Sequence, residues 1–159
     1  MQIVDGLEIP GKTDTPNKNP ELMKLLGSRF IAHPPNMTIK IKVNDKSHPI
    51  TKDLEDFEIF DEPYYCEFSD GIKILLESRY TDDADAYVSS SWKEDIPRPQ
   101  MYLHKVGKGS VLYLMLGHCR GKYDMRPFMD ECPVDRGGWE SEVFYELLRR
   151  GIKWGINKI

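Results

Sequence analysis

The sequence predicts a single α/β domain, and three patterns support this prediction. The segment "TIKIKVND" (38–45) alternates apolar and polar residues, as a strand with one solvated face does. The segment "GIKILLESRY" (71–80) has the continuous apolar centre that is typical of a buried strand. Near the C-terminus, "WESEVFYELLRRGIKWGINKI" (139–159) repeats its apolar residues at helical spacing. A chain of 159 residues is long enough to bury one core of this kind.

Other segments complete the predicted order of elements. Residues 1–19 are rich in Pro, Gly, Asn, Lys and Thr, so we expect a loop or tail before a domain at 20–159. Asn19 can cap a short helix that has Pro20 in its first position, and Gly27 can end that helix.

Two further strand regions are predicted between these helices. The segment "FEIFDEPYY" (57–65) is predicted as one strand that ends in polar and aromatic residues, and "AYVSSSW" (86–92) as a short strand within a loop. In "QMYLHKVGKGSVLYLMLGH" (100–118) a tight Gly-Lys-Gly turn separates two apolar runs, which indicates a β-hairpin.

Composition excludes several functional classes. With 40% hydrophobic and 30% charged residues the chain is globular rather than disordered. Its net charge of −4 is spread along the sequence without a basic cluster, so we expect no nucleic-acid partner. No apolar stretch approaches the roughly 18 residues that span a bilayer, so we expect no membrane partner.

The cysteines and the N-terminal segment predict a cytoplasmic protein. Cys66, Cys119 and Cys132 are odd in number and lack a Cys-x-x-Cys spacing, which argues against a disulfide scaffold and against a zinc ribbon. The first twenty residues lack the apolar core of a signal peptide.

The segment "GHCRG" (117–121) follows an apolar strand and has the form of a nucleophile elbow. In such an elbow a helix begins directly after the cysteine and lowers the pKa of its thiol. Here the next residues contain Pro127 and Pro133 and lack a helical apolar period, and no histidine follows His118 to serve as a base. Cys119 is therefore interpreted as a small residue at a strand end rather than as the nucleophile.

His118 is the stronger candidate in the same turn, because ligand sites of open α/β sheets lie beyond the carboxyl ends of strands. The alternative, a histidine that only fixes the loop through a backbone hydrogen bond, stays open. In "FDEPYY" (60–65), Glu62 is a plausible carboxylate partner for a histidine, and Asp61 could bind a polyol or serve only in a turn.

The remaining candidates are polar or aromatic residues without a close metal-ligand spacing. His33 and His48 each precede a proline, and the spacing of the histidines gives no metal signature. We therefore predict no metal ligands, and no particular cofactor is indicated. The residue types present fit a sugar site better than a metal site, because carboxylates accompany several aromatic side chains: Tyr64, Tyr65, Trp92, Tyr123 and Trp139.

Five motifs in one order give the sequence a family resemblance. They are Gly-x-x-Phe followed by His-Pro (27–34), His-Pro-Ile (48–50), Asp-Glu-x-Tyr (61–64), Gly-x-Gly-x-Val ending in Gly-His (107–118), and Arg-Gly-Ile-x-Trp (150–154). Together they resemble the ThuA-like, or trehalose-utilisation, family. The resemblance implies a flavodoxin-like, three-layer α/β sandwich similar to class I glutamine amidotransferases, without their cysteine–histidine–glutamate triad.

The resemblance covers residues 20–156 and assigns landmarks within them. A polar residue usually follows the family's Gly-His, so Cys119 departs from the common pattern. The strand–helix–strand units that open such a domain have no counterpart before residue 20, so we expect an N-terminally incomplete domain with an exposed sheet edge. We therefore expect a homo-oligomer, or association with a chain that carries the missing half. The family's signature polar positions correspond to His33, His48, Asp61, Glu62, Tyr64 and His118.

The function implied is that of a bacterial carbohydrate-utilisation protein acting on a sugar or a keto-disaccharide such as a trehalose derivative. An enzyme of this kind would be of hydrolase or isomerase type, with His118 and Glu62 as catalytic residues. The substrate would be bound by Tyr64, Tyr123, Asp61, His33 and His48. A non-catalytic carbohydrate-binding or regulatory module and a metal-dependent hydrolase are the alternatives.

Overall fold

The computed structural model describes residues 12–127 and 129–159, together with the backbone of residues 2–4 and 7–9. In chain order the elements are β1 (Gln2–Val4), β2 (Leu7–Ile9), α1 (Pro20–Leu26), β3 (Ser28–Ala32), β4 (Met37–Val43), β5 (Phe57–Asp61), β6 (Tyr65–Phe68), β7 (Lys73–Ser78), β8 (Arg98–Val106), β9 (Gly109–Leu114), a 3₁₀ helix (Gly137–Glu140) and α2 (Glu142–Gly155).

The centre of the molecule is a five-stranded sheet in the order β5–β4–β7–β8–β9, in which every neighbouring pair is antiparallel. The predicted strands at 38–45 and 71–80 correspond to β4 and β7, and the predicted hairpin is the β8–β9 pair. Its turn has Gly107 at φ 56°, a backbone conformation that glycine adopts without steric cost.

The central sheet is covered on both faces. On one face, the hydroxyl of Tyr102 hydrogen-bonds to Ser28, and α1 and the antiparallel β3–β6 pair lie there. On the other face, α2 buries Phe144 and Leu147, which confirms the predicted C-terminal helix. The molecule is therefore a mixed α/β structure with the sheet between two layers.

The short helix α1 forms as its sequence predicts. The side chain of Asn19 accepts a hydrogen bond of 3.2 Å from the Leu22 amide, and Pro20 occupies the first position, where its missing N–H costs nothing. Gly27 ends the helix in the left-handed conformation at φ 81°.

The predicted strand at 57–65 is wrong in extent. β5 ends at Asp61, whose carboxylate accepts the Glu62 amide at 2.8 Å, and Pro63 lacks the N–H that a central strand needs. The chain therefore turns at this point, and β6 then pairs with β3 in a separate two-stranded sheet. The sequence analysis missed β3.

Two other segments also differ from expectation. The predicted strand at 86–92 is reduced to one bridge between Tyr87 and Thr13. The backbone of 2–4 and 7–9 forms a small antiparallel pair where a loop is expected, and the intervening Asp5-Gly6 sequence is a known hairpin signal. Within the described residues, no helix has the length and apolarity to cross a membrane.

Candidate functional site

Three strand ends meet at one cavity of about 460 Å³. His33 follows β3, Glu62 follows β5, and His118 lies four residues beyond β9. All three line the cavity, so the structure brings together residues that are far apart in the sequence. The rest of the wall is mainly aromatic and sulfur-containing: Phe30, Tyr64, Tyr87, Tyr113, Cys66, Met23 and Met115.

Glu62 lies between two imidazoles. Its Oε1 atom is 3.4 Å from His33 Nε2 and 3.4 Å from His118 Nδ1. The Glu62 side chain is 10% exposed, and those of His33 and His118 are 27% and 24% exposed. The carboxylate is therefore the deepest member of the group, while both imidazoles reach the solvent side of the cavity.

Burial shifts the pKa values of Glu62 and His33. Burial raises the pKa of Glu62 above its ordinary value, an effect that nearby Asp61 reinforces and His118 opposes. The pKa of His33 is lowered, again chiefly by burial. Both changes favour the neutral forms of the two side chains.

A backbone contact orients the ring of His33. Its Nδ1 lies 2.8 Å from the Pro34 carbonyl, which can only accept, so Nδ1 carries the proton and donates it. The nitrogen that faces Glu62 is then Nε2, an acceptor in the neutral ring. A proton on Glu62 therefore has a basic nitrogen within reach, which is the arrangement that general acid–base chemistry needs.

The aromatic wall is built by edge-to-face contacts. The ring of Phe30 packs against Tyr64 at 5.2 Å and against Tyr87 at 5.8 Å, and His33 packs against Tyr87 at 5.1 Å. The hydroxyl of Tyr64 opposes the effect of burial on the pKa of Glu62. Tyr64 thus joins the apolar wall to the ionisable group.

Asp61 lies beneath the cavity rather than in its wall. It is fully buried, and its carboxylate accepts the Gly117 amide at 2.7 Å and the His118 amide at 3.0 Å, besides that of Glu62. These bonds hold the end of β5 against the segment that follows β9. In this arrangement Asp61 positions the backbone of both Glu62 and His118.

Two of the expected substrate-binding residues lie elsewhere. His48 is in the turn after β4, where its Nδ1 accepts the Ile50 amide at 3.3 Å and its ring lies 6.1 Å from that of Trp154. Tyr123 is half-exposed in the loop after β9, with the Arg126 guanidinium 4.3 Å from its ring centre. Neither residue lines the cavity.

The sequence analysis missed Phe30, Tyr87 and Tyr113 as wall residues. Phe30 and Tyr113 are strand residues, and a strand pattern shows only that such residues alternate between two faces. Tyr87 lies in an irregular segment, so no local signal connects it to the cavity.

The segment after His118 lacks the architecture of an elbow. Cys119 is exposed, and Arg120 pairs with Asp135 through two backbone hydrogen bonds of 2.7 and 2.9 Å. In the described part of this segment, no α-helix begins before Glu142. Among the described residues, no group of three or more His, Cys, Asp or Glu side chains has an arrangement suited to a metal ion.

Comparison with known proteins confirms the family resemblance. The family model ThuA, described as trehalose utilisation, matches residues 10–132, which is more than half of the chain. The chain belongs to the ThuA family. The cavity residues His33, Glu62, Tyr64 and His118 all lie within the matched part.

A solved structure extends this similarity to the fold. The ThuA-family chain is similar to the crystal structure of a ThuA-like protein from Parabacteroides merdae ATCC 43184, with a TM-score of 0.56 and 22% identity. The match covers 80% of this chain and 40% of that one, so the chain spans well under half of the neighbour's length. The likeness fits the predicted flavodoxin-like α/β fold. No curated protein matches.

Proposed function

We propose that this ThuA-family protein acts on a sugar or a keto-disaccharide, such as a trehalose derivative, by moving a proton within the cavity. The observation that carries the proposal is the placement of Glu62 between His33 and His118 at the base of an aromatic wall. The description of the family as one of trehalose utilisation supports the substrate class.

The cavity suits a small polar molecule with apolar faces. Its volume of about 460 Å³ lies within the range of small-molecule sites. Tyrosine presents an apolar ring and a polar hydroxyl, so Tyr64, Tyr87 and Tyr113 can pack on a sugar and bond to it. Burial raises the pKa of Tyr87 to about 12, so this phenol stays neutral and can donate a hydrogen bond.

The chemistry we assign to Glu62 and His118 is general acid–base catalysis. Hydrolysis of a glycosidic bond requires a proton on the leaving oxygen, and isomerisation of a keto-sugar requires a proton to leave a carbon beside the carbonyl. Glu62 holds a proton more tightly than an exposed glutamate does, because it is buried. His118 and His33 offer nitrogens at 3.4 Å that exchange this proton with the substrate.

The test is turnover of a panel that contains trehalose, other disaccharides and their 3-keto derivatives. We expect one or more of these to be converted, and we expect His118→Ala and Glu62→Gln each to lower kcat by about 100-fold or more, the usual contribution of such a residue. His104→Gln is the matched control, because His104 lies on β8 and bonds to the Lys24 carbonyl, outside the cavity. It should retain the wild-type rate.

Calorimetry on the same panel separates catalysis from binding alone. Saccharide binding without any product would contradict the enzymatic proposal and favour a carbohydrate-binding module. Full turnover by His118→Ala would remove His118 from the assigned role. Turnover that a chelator abolishes would favour the metal-dependent alternative.

A further inference from the structure

A second cavity, of about 370 Å³, is lined by the residues that directly follow His118. His118 lines the first cavity, whereas Cys119 and Arg120 line the second. Two residues of extended chain span about 7 Å. The two cavities are therefore lined by neighbouring residues of one segment.

The second cavity carries an excess of positive charge. Arg120 and Arg136 both line it, and Asp135 is its only carboxylate. The carboxylate of Asp135 is already engaged, because it accepts the Gly137 amide at 2.9 Å and a hydrogen bond from the Asn36 side chain. Within the described residues, neither guanidinium forms an ion pair.

Arg120 also has an unsatisfied donor. Its Nε atom is buried without a hydrogen-bond acceptor among the described residues. Buried donors are paired in the great majority of cases, so an unpaired one beside a cavity calls for an explanation. An anion in the cavity would supply the counter-charge that Arg120 and Arg136 lack among the described residues.

Trp139 supplies the aromatic part of the remaining wall. The indole N–H of Trp139 donates to the Gly117 carbonyl at 2.8 Å, and its ring packs edge-on against Phe144 at 4.9 Å. Trp139 is still 37% exposed, so part of the ring faces outward at the cavity. The backbone bridge between Arg120 and Asp135 joins the two loop segments that line this cavity.

We propose that the second cavity is a subsite for the carboxylate or phosphate group of an acidic saccharide. Arg120 and Arg136 bind the acidic group, and Trp139 packs on the neighbouring ring. The planar guanidinium fits both kinds of acidic group through paired N–H donors. This inference rests on the proposed function for its sugar component, whereas the anion subsite stands on the two arginines alone.

Calorimetry with five probes tests the subsite: glucose, glucuronate, glucose 6-phosphate, trehalose and inorganic phosphate. We expect an acidic sugar to bind about tenfold or more tightly than glucose at low salt, with the preference reduced at high salt. Glucuronate and glucose 6-phosphate show which acidic group is preferred. Arg120→Gln should abolish the preference.

Two further variants keep this test decisive. Arg136→Gln removes an exposed side chain, so it should fold normally and also weaken the preference, even if Arg120→Gln proves unstable. Arg79→Gln is the matched control, because Arg79 pairs with Asp95 at 3.2 Å away from this cavity, and it should bind as the wild type does.

Cys119 supplies an independent readout. It is exposed and lines the second cavity, whereas Cys132 is buried. An acidic sugar or phosphate should slow alkylation of Cys119 about tenfold at saturation in the wild type and have no effect in Arg120→Gln. Mass spectrometry of the Cys119 peptide measures this protection.

The outcomes distinguish the two proposals. If glucose and an acidic sugar bind equally, or if Arg120→Gln keeps the preference, the subsite is wrong while the proposed function stands. If inorganic phosphate binds through Arg120 but no saccharide binds, the anion subsite stands and its sugar component fails. If no probe binds the wild type, the subsite is overturned, whereas the proposed function is tested by the turnover panel, which includes the 3-keto derivatives.

Discussion

At the scale of single residues, the site depends on one carboxyl group kept from water. Glu62 is only 10% exposed, and two negatively charged neighbours, Asp61 and Asp135, add to the effect of its burial. His118 opposes this effect without reversing it, so the pKa of Glu62 remains raised. A protonated carboxyl beside two imidazoles therefore persists at higher pH than an exposed one would.

This shift predicts how stability depends on pH. Above the ordinary pKa of glutamate and below the raised pKa of Glu62, the folded state binds more protons than the unfolded state, so this contribution to stability is lost as pH rises. Glu62→Gln removes the titrating group. We expect the free energy of unfolding of this variant, relative to the wild type, to increase between pH 4 and pH 7, measured by urea denaturation.

Glu67→Gln is a control of opposite sign. The guanidinium of Arg29 donates hydrogen bonds of 2.8 and 2.9 Å to Glu67 and holds the pKa of this exposed carboxyl below its usual range. The contribution of Glu67 is present at pH 7 and is lost as pH falls through the lowered pKa, so the stability of Glu67→Gln relative to the wild type should decrease as pH rises, and this change should occur below the ordinary pKa of glutamate. The same slope in both variants would contradict the assignment for Glu62.

At the scale of elements, the site depends on the 3₁₀ helix, which packs against Asp61 at the end of β5. The 3₁₀ helix begins with Gly137 and Gly138, which pack directly against the buried carboxylate of Asp61 and the backbone of Gly117 and His118. A Cβ atom on Gly138 would lie 2.6 Å from Asp61 Oδ2. Only glycine permits this close approach, so the 3₁₀ helix controls where Asp61 holds His118.

Gly138→Ala should therefore damage both stability and activity. The added methyl group displaces a carboxylate that accepts three backbone hydrogen bonds, and overpacking of this kind costs about 1–3 kcal/mol of unfolding free energy. We also expect turnover to fall with the displacement of His118. Urea denaturation and the saccharide assay measure the two effects.

Gly155→Ala is the matched control for this substitution. Gly155 ends α2, and a Cβ atom there would meet no atom within 4 Å. Alanine is also the better helix former, so stability should stay the same or rise by up to about 1 kcal/mol. Equal losses in both variants would indicate a general intolerance of the fold rather than the contact with Asp61.

At the scale of the whole molecule, the central sheet ends in an apolar edge strand. β9 pairs with β8 on one side and with no other strand among the described residues. The apolar residues of β9 are the run "VLYL" (111–114), and their side chains are only half-buried. Exposed edge strands of this kind recruit further strands through their unpaired backbone groups.

We expect the purified chain to sediment as a species larger than its 18.5 kDa monomer, because β9 pairs with another strand. Val111→Lys places a charge on β9 and should shift the distribution toward the monomer, measured by sedimentation velocity. Ile152→Lys, at an exposed position on α2, should leave the distribution unchanged. A monodisperse wild-type monomer would contradict this expectation.

Much of the fold could be predicted because its signals are local. The cap of Asn19, the left-handed Gly27 and the hairpin at Gly107 each depend on a few neighbouring residues, and each forms as predicted. The predicted strand at 57–65 was wrong in extent because Pro63 interrupts it locally, and because Asp61 binds the end of β5 to a segment more than fifty residues away.

The sequence by itself determined the order of the family landmarks and the lack of a helical apolar period after Cys119. The tertiary structure decided which landmarks share a cavity. It placed His33, Glu62, Tyr64 and His118 together, Asp61 beneath them, and His48 and Tyr123 apart. The physical reason is that hydrophobic periodicity reports which face of an element is buried, whereas the meeting of three strand ends depends on contacts distant in the sequence.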